Sequence, residues 1–226
     1  MKVLEQVVTS DGVLSVVSRE NMLALRNGDT GYSCIYTDDE VFQPILIPVQ
    51  KVLDAFVQSH IIQDALILGG GCCTIPRFMI KRFGNTIQID SVEYLPAIVE
   101  LTRKYFLNGI DTDNLNIFCD DAFSFIQVTP KQYDFIFVDL FVGGIKSEES
   151  HTIGFLQNIA EHITEQSIIV FNGYHSSIEQ CQTLCQQGRV YFDKSFLLQD
   201  ESNTYYIVFI KGEFDEGTVK QYLLSA

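Results

Sequence analysis

The sequence predicts an α/β fold: a mostly parallel, seven-stranded sheet ending in an antiparallel hairpin, preceded by a small antiparallel β extension. Three observations predict it. From residue 65 onward, short runs rich in Ile, Val and Phe alternate with amphipathic segments, the pattern of strand–helix–strand units around a parallel sheet. Near the carboxyl end, VYFDKSFLL and TYYIVFI are separated by the polar stretch QDESN, a spacing that suits a hairpin. The first 40 residues differ: EQVVTS, VLSVVS, RENMLALRNGDTG and YSCIYT alternate like strands and are separated by Asp-Gly and Asn-Gly-Asp turn signals, which makes them antiparallel. The chain therefore divides into an extension, 1–40, and a main domain, 41–226.

Taken in order, residues 39–58 read as helical in their second half. There Val49, Val52, Leu53 and Phe56 fall on one face, and Pro44 and Pro48 belong at or before the first turn. Parallel strands follow at 65–69, 86–92, 115–119, 133–139 and 166–172. Helices are expected between and after them at 75–83, 95–107, 121–127, 151–163 and 176–187, with Leu95, Ile98, Val99, Leu101 and Tyr105 at helical spacing in the second.

Composition excludes several classes of function. The formal charge of −14 opposes a phosphate backbone, so nucleic acid is not an expected partner, while a cationic small molecule is attracted by the same field. No apolar run reaches the ~18 residues of a membrane span, and the start, MKVLEQVVTSDG, lacks a secretory h-region. A cytoplasmic location is expected. The six cysteines form no zinc-like spacing, so no metal site is expected and buried free thiols are the plain reading.

The candidate site residues all lie where strands end, the edge at which open α/β sheets bind ligands. Gly69, Gly70 and Gly71 close the first parallel strand, where glycines permit positive φ and close approach of backbone to ligand. Glu93, with Asp90 as the second choice, ends the next strand, 20 to 25 residues on, where an acid accepts from ribose hydroxyls. Asp120, Asp121 and Ala122 stand before the third helix of the series; one carboxylate caps that helix, and a carboxylate there also suits an exocyclic amine of adenine. Asp139 ends the apolar strand YDFIFVDLF, and a carboxylate so placed needs a partner or a task. Tyr174 and His175 follow the fifth strand as further neighbours, and Gly143 and Gly144 offer hinges for a closing loop over 142–150.

The segments ALILGGG, SVEYLPAIVELTRKYF, NIFCDDAFSFI and YDFIFVDLF, in this order and spacing, resemble the Rossmann-like class I methyltransferase fold and, within it, the spermidine synthase family. The resemblance covers most of residues 1–210 and implies S-adenosylmethionine, or its decarboxylated form, as co-substrate, with 41–226 as the domain that binds it. It implies that Gly69 and Gly71 pass beneath the methionine portion, that Glu93 holds the ribose, and that Asp121 and Ala122 frame the adenine. Asp139 matches the first aspartate of the family's Asp-x-x-Asp-Pro motif, which sits over the reacting centre, making it both a cofactor-binding residue and the catalytic candidate that deprotonates an attacking amine. The chain departs from the family in three places. Val142 replaces the second aspartate and Gly143 the proline; Phe42-Gln43-Pro44 stands where the family has Tyr-His-Glu; and Cys72-Cys73 stands where it has Asp-Gly.

The implied function is transfer of a methyl or aminopropyl group to a small polar or amine acceptor by a homodimer. Two other readings stay open: a catalytically silent relative that keeps the fold for binding or assembly, and an NAD-dependent oxidoreductase, disfavoured because the turn lacks Gly-x-x-Gly spacing. The glycine turn survives its cysteines if Cys73 keeps a negative φ, with Thr74 capping the helix and Pro76 in its first turn. A helix amino terminus lowers a thiol's pKa, so a redox or nucleophilic role for Cys72 also stays open.

Overall fold

The computed structural model describes residues 1–38, 41–142, 145–215 and 217. Four strands, β1 (Lys2–Thr9), β2 (Gly12–Arg19), β3 (Met22–Asn27) and β4 (Thr30–Tyr36), form an antiparallel meander in chain order. Helix α1 (Ile47–Phe56) follows, with Pro48 in its first turn and Val49, Val52, Leu53 and Phe56 all fully buried, as the spacing predicts.

The main sheet holds β5 (Asp64–Leu68), β6 (Gln88–Glu93), β7 (Leu115–Cys119), β8 (Tyr133–Val138), β11 (Ile163–Asn172), β12 (Lys194–Gln199) and β13 (Tyr205–Lys211). Its order is β12-β13-β11-β8-β5-β6-β7, with β13 antiparallel to both its neighbours, β12 and β11, and the other pairs parallel, the expected seven strands and closing hairpin. The two-residue strands β9 (Phe141–Val142) and β10 (Ile145–Lys146) pair with each other; the hinges proposed at Gly143 and Gly144 lie outside the described residues. Among the described residues no helix is long and apolar enough to cross a membrane.

The helices α2 (Thr74–Phe83), α3 (Pro96–Leu101), α4 (Ala122–Val128), α5 (Ile153–Ala160) and α6 (Ile178–Gly188) cover the sheet. One core joins α1 and α2 to Ile67, Phe135, Phe137, Ile168 and Val170. The other joins α4, α5 and α6 to Leu66, Leu68, Ile136, Ile169 and Phe171. Alternate residues of the central strands thus feed opposite layers, and burial on both faces explains why these strands read as continuous apolar runs.

Two helices differ from expectation. The segment predicted as one helix over 95–107 is α-helical only to Leu101 and continues as a π-turn, Thr102–Phe106, with Leu107 N–H donating to Thr102 O. That turn frees the Thr102 hydroxyl to donate to Gly71 O at 2.9 Å. The predicted helix over 151–163 is a 3₁₀ turn, Glu149–His151, and then α5, because the Thr152 side chain caps a new start by accepting from Phe155 N–H.

The meander belongs to the site's foundation. Leu14, Val16, Leu25 and Ile35 pack with Ile98, Leu101, Phe106 and Cys72 in a third core. Polar contacts reinforce it: Ser33 Oγ lies 2.9 Å from Thr74 Oγ1, Thr74 Oγ1 donates to Cys34 O, and Tyr105 OH donates to Glu5 at 2.6 Å.

Candidate active site

Register sets the site. Leu68 pairs with Val92 on one side and Val138 on the other, and Val138 pairs with Phe171. The next residues, Gly69, Glu93, Asp139 and Asn172, therefore emerge at one level on the carboxyl edge of the sheet. Above them opens a cavity of about 760 Å³, lined also by Gly71, Asp120, Asp121, Ala122, Tyr174 and Tyr206. Gly70, a third candidate of the turn, is buried beneath it and is not part of that lining.

Each glycine of the turn has its own reason. Gly69 has φ +86°, and a Cβ there would stand 2.1 Å from Asp139 O. A Cβ on Gly70 would stand 2.1 Å from Ser91 Oγ. Both N–H groups donate to Val92 O at 2.9 Å, fastening the turn to β6. Gly71, at φ +49°, donates its N–H to Glu93 Oε2 at 3.0 Å, while Leu95 N–H donates to Oε1 at 3.0 Å. Burial pushes the Glu93 carboxyl up and these backbone donors pull against it. Each oxygen keeps a lone pair for a further donor, so Glu93 is free to take a pair of vicinal hydroxyls.

The expectation for the cysteines is corrected. Cys73 takes φ +58°, because its N–H closes a turn onto Gly70 O and leaves it as the N-cap of α2 without a side-chain cap bond. A residue with a Cβ holds that conformation at a cost of ~1–2 kcal/mol. Thr74 is not the cap, since its hydroxyl is spent on Ser33 and Cys34. Nor is Cys72 a reactive thiol: it is fully buried in the third core, and burial raises it well above the ordinary thiol range. Cys73 is pushed to about 12 by burial, so the helix amino terminus does not activate either sulfur.

At the third strand end, Asp121 caps α4 by accepting from Ser124 N–H at 2.8 Å, and Asp120 accepts from Asp121 N–H at 2.8 Å. Both carboxylates and Ala122 remain on the cavity wall. Asp90, the second choice for the ribose, lies elsewhere. Three residues before the strand end, it is buried and paired with Lys131 at 2.8 Å, Tyr133 OH at 3.0 Å and Asn116 at 2.8 Å.

Asp139 is tied to β5 by its N–H, which donates to Leu68 O at 2.8 Å, and its Oδ1 accepts from Asn172 Nδ2 at 2.7 Å. Burial raises its carboxyl to about 7; the Asn172 bond lowers it and the nearby Glu93 charge raises it further. Tyr174 lines the cavity beside Phe141, with ring centroids 6.1 Å apart, whereas the exposed His175 stands outside that lining. Gln43, in the stretch compared with Tyr-His-Glu, is fully buried and accepts from Tyr36 N–H, so the wall there is formed instead by Pro44, Ile45 and Leu46. Sequence reading missed Asn172 and Tyr206; the signal for Asn172 was a polar residue closing the apolar run SIIVF.

The wall is one-signed. Seven carboxylates line it (Asp11, Glu93, Asp120, Asp121, Asp139, Asp200 and Glu201), with no Lys, Arg or His among the described lining residues. No group of three or more potential metal ligands occurs among the described residues.

The chain is 29% identical over 116 residues to polyamine aminopropyltransferase 2 of Aquifex aeolicus, covering 48% of this chain and 23% of that protein. It is 25% identical over 128 residues to polyamine aminopropyltransferase of Lachnospira eligens, covering 55% and 45%. The chain thus matches less than half the length of either relative. In structure it resembles a probable spermidine synthase from Corynebacterium glutamicum, with TM-score 0.78, 18% identity and coverage of 95% of this chain and 81% of that one. Human methyltransferase-like protein 13, solved in complex with SAH, gives TM-score 0.61 at 16% identity over 77% and 85% of the two chains, and so shares the methyltransferase fold. The family model described as the spermine/spermidine synthase domain matches residues 53–210, most of the chain and all of its glycine turn, Glu93 and Asp139: the protein belongs to that family.

Proposed function

We propose that this protein is a transferase that binds an adenosyl sulfonium and passes an alkyl group from it to an amine, with the decarboxylated form of S-adenosylmethionine as the preferred donor. The observation that carries this reading is the level placement of Glu93 and Asp139 beside the bare Gly69 and Gly71 backbone, in a cavity walled by carboxylates with no basic side chain among its described residues. Such a wall attracts a sulfonium and an ammonium, while a methionine carboxylate would meet only like charge. It also disfavours a dinucleotide, whose pyrophosphate needs donors or cations.

The donor supplies a carbon already activated by the positive sulfur, so the chain's task is alignment and proton removal. Gly69 and Gly71 let the donor's chain lie on the backbone, Glu93 takes the ribose hydroxyls, and Asp120, Asp121 and Ala122 border the base. Asp139 accepts a proton from the acceptor's ammonium. The freed nitrogen lone pair forms the new C–N bond as the C–S bond breaks, and its electrons leave on sulfur as a neutral thioether. A base near 7 is matched to this role at neutral pH. This favours a working site over a silent relative.

Methyl transfer from S-adenosylmethionine is the second reading, motivated by the fold shared with methyltransferases. Product analysis separates the two. With both donors present and putrescine or another primary amine as acceptor, methylthioadenosine and an aminopropylated amine are expected; accumulation of S-adenosylhomocysteine instead would overturn the preference.

A further inference from the structure

Asp139 has two oxygens, and the structure gives them different surroundings. Asn172 Nδ2 lies 2.7 Å from Oδ1, and no described side chain or backbone group donates to Oδ2. The orientation of the Asn172 amide is fixed independently: Tyr174 N–H donates to Asn172 Oδ1 at 2.9 Å, so the amide must turn its NH₂ toward Asp139. Asn172 closes β11 and is 8% exposed, held between β8 and β13, where it pairs with Tyr206. It cannot swing away without breaking the turn into Gly173 and Tyr174.

We infer that Asn172 is a positioning residue for Asp139: its carboxamide occupies one carboxylate oxygen and reserves the other for the acceptor's ammonium. The role of that reserved oxygen rests on the transferase reading above; the pairing itself does not. The other groups around Asp139 make such a donor necessary. Glu93, from β6, adds negative charge, and Tyr206, from β13, is a neutral phenol whose hydroxyl is already given to Asp200 at 3.2 Å. β5 presents only the glycine turn and the Leu68 carbonyl. Asn172 is therefore the one described side chain that favours the charged form of Asp139, opposing both burial and Glu93.

The test is a carbon-13 titration of the Asp139 side-chain carboxyl in the free protein, assigned with Asp139→Asn. Removing the donor in Asn172→Leu should raise the Asp139 midpoint by about 1 to 2 units, the size expected of a hydrogen bond to a charged group. Asn172→Asp keeps the acceptor for Tyr174 N–H but turns the donor into a second carboxylate. The pair should then hold one proton to about pH 8 or above. A midpoint within about 0.3 unit of wild type in both variants would overturn the inference. If neither variant folds, the wild-type protein still decides: the Asn172 side-chain amide resonances must move with the Asp139 midpoint, and flat resonances would contradict the pairing. Because these readings need no ligand, a failure to bind any sulfonium would sink the proposed function without touching this result. In turnover, Asn172→Leu should move the acid limb of kcat/KM for the acceptor, which reports the base of the free enzyme, by the same amount and leave KM for the donor unchanged.

Discussion

Asp139→Asn is expected to lower the rate of the proposed transfer by about 10²- to 10⁴-fold, the usual worth of a positioned general base, while leaving affinity for methylthioadenosine within about threefold of wild type. The substitution keeps size and polarity but removes the proton acceptor, so binding and chemistry separate. It also has a stability signature. Asp139 is raised to about 7 in the folded protein, above its ordinary carboxylate value near 4. Between those values the native state binds more protons than the unfolded chain, so this group's contribution falls as pH rises from about 4 through 7. Asp139→Asn should accordingly be at least as stable as wild type at about pH 8, with the gap closing toward about pH 4. Chemical denaturation at the two pH values checks the sign. A variant that loses nucleoside binding and activity together would assign Asp139 to donor binding instead.

Gly69→Ala should do the greatest damage for its size. The added Cβ would stand 2.1 Å from Asp139 O and 2.7 Å from its carbonyl carbon, and the backbone there is at φ +86°. Neither atom is the end of a flexible side chain, so β5 and β8 must part at the level of the site. A loss of roughly 2–4 kcal/mol is expected, with nucleoside affinity falling about 100-fold because the ligand's floor and Asp139 shift together. Gly71→Ala is the internal comparison. Its nearest neighbour would be Ser33 Cβ at 3.9 Å, leaving only the left-handed φ of +49°, with a cost of about 1–2 kcal/mol. Thermal denaturation and methylthioadenosine titration of the two variants test the order. Equal effects would show that conformation rather than the Asp139 contact governs the turn.

The parts of the molecule legible in its sequence are those fixed by local pattern. Buried parallel strands are apolar on both faces, so their ends stand out, and Gly69 and Asp139 are the residues at which two such runs stop; Glu93 closes a strand of mixed polarity, IDSV, and was marked by its place at that strand's end and its distance from the glycine turn. Asp90 was separable from Glu93 by the same logic, being inside its strand, but its pairing with Lys131 spans 41 residues and has no local signal. The positive φ of Cys73 was illegible because it follows from the closure of a turn, and a side chain's identity does not reveal that. Asn172 was passed over in favour of Tyr174 and His175 because its meaning depends on a partner 33 residues away. The meander's support of the turn, through Ser33, Cys34 and Thr74, was hidden for the same reason.

Calorimetric titration of the wild-type protein tests the central claim most directly, with decarboxylated S-adenosylmethionine, S-adenosylmethionine, methylthioadenosine and NAD as ligands. The expected order places the decarboxylated sulfonium first, methylthioadenosine and S-adenosylmethionine weaker, and NAD without binding. Absence of heat from all three adenosyl sulfur compounds would contradict the account.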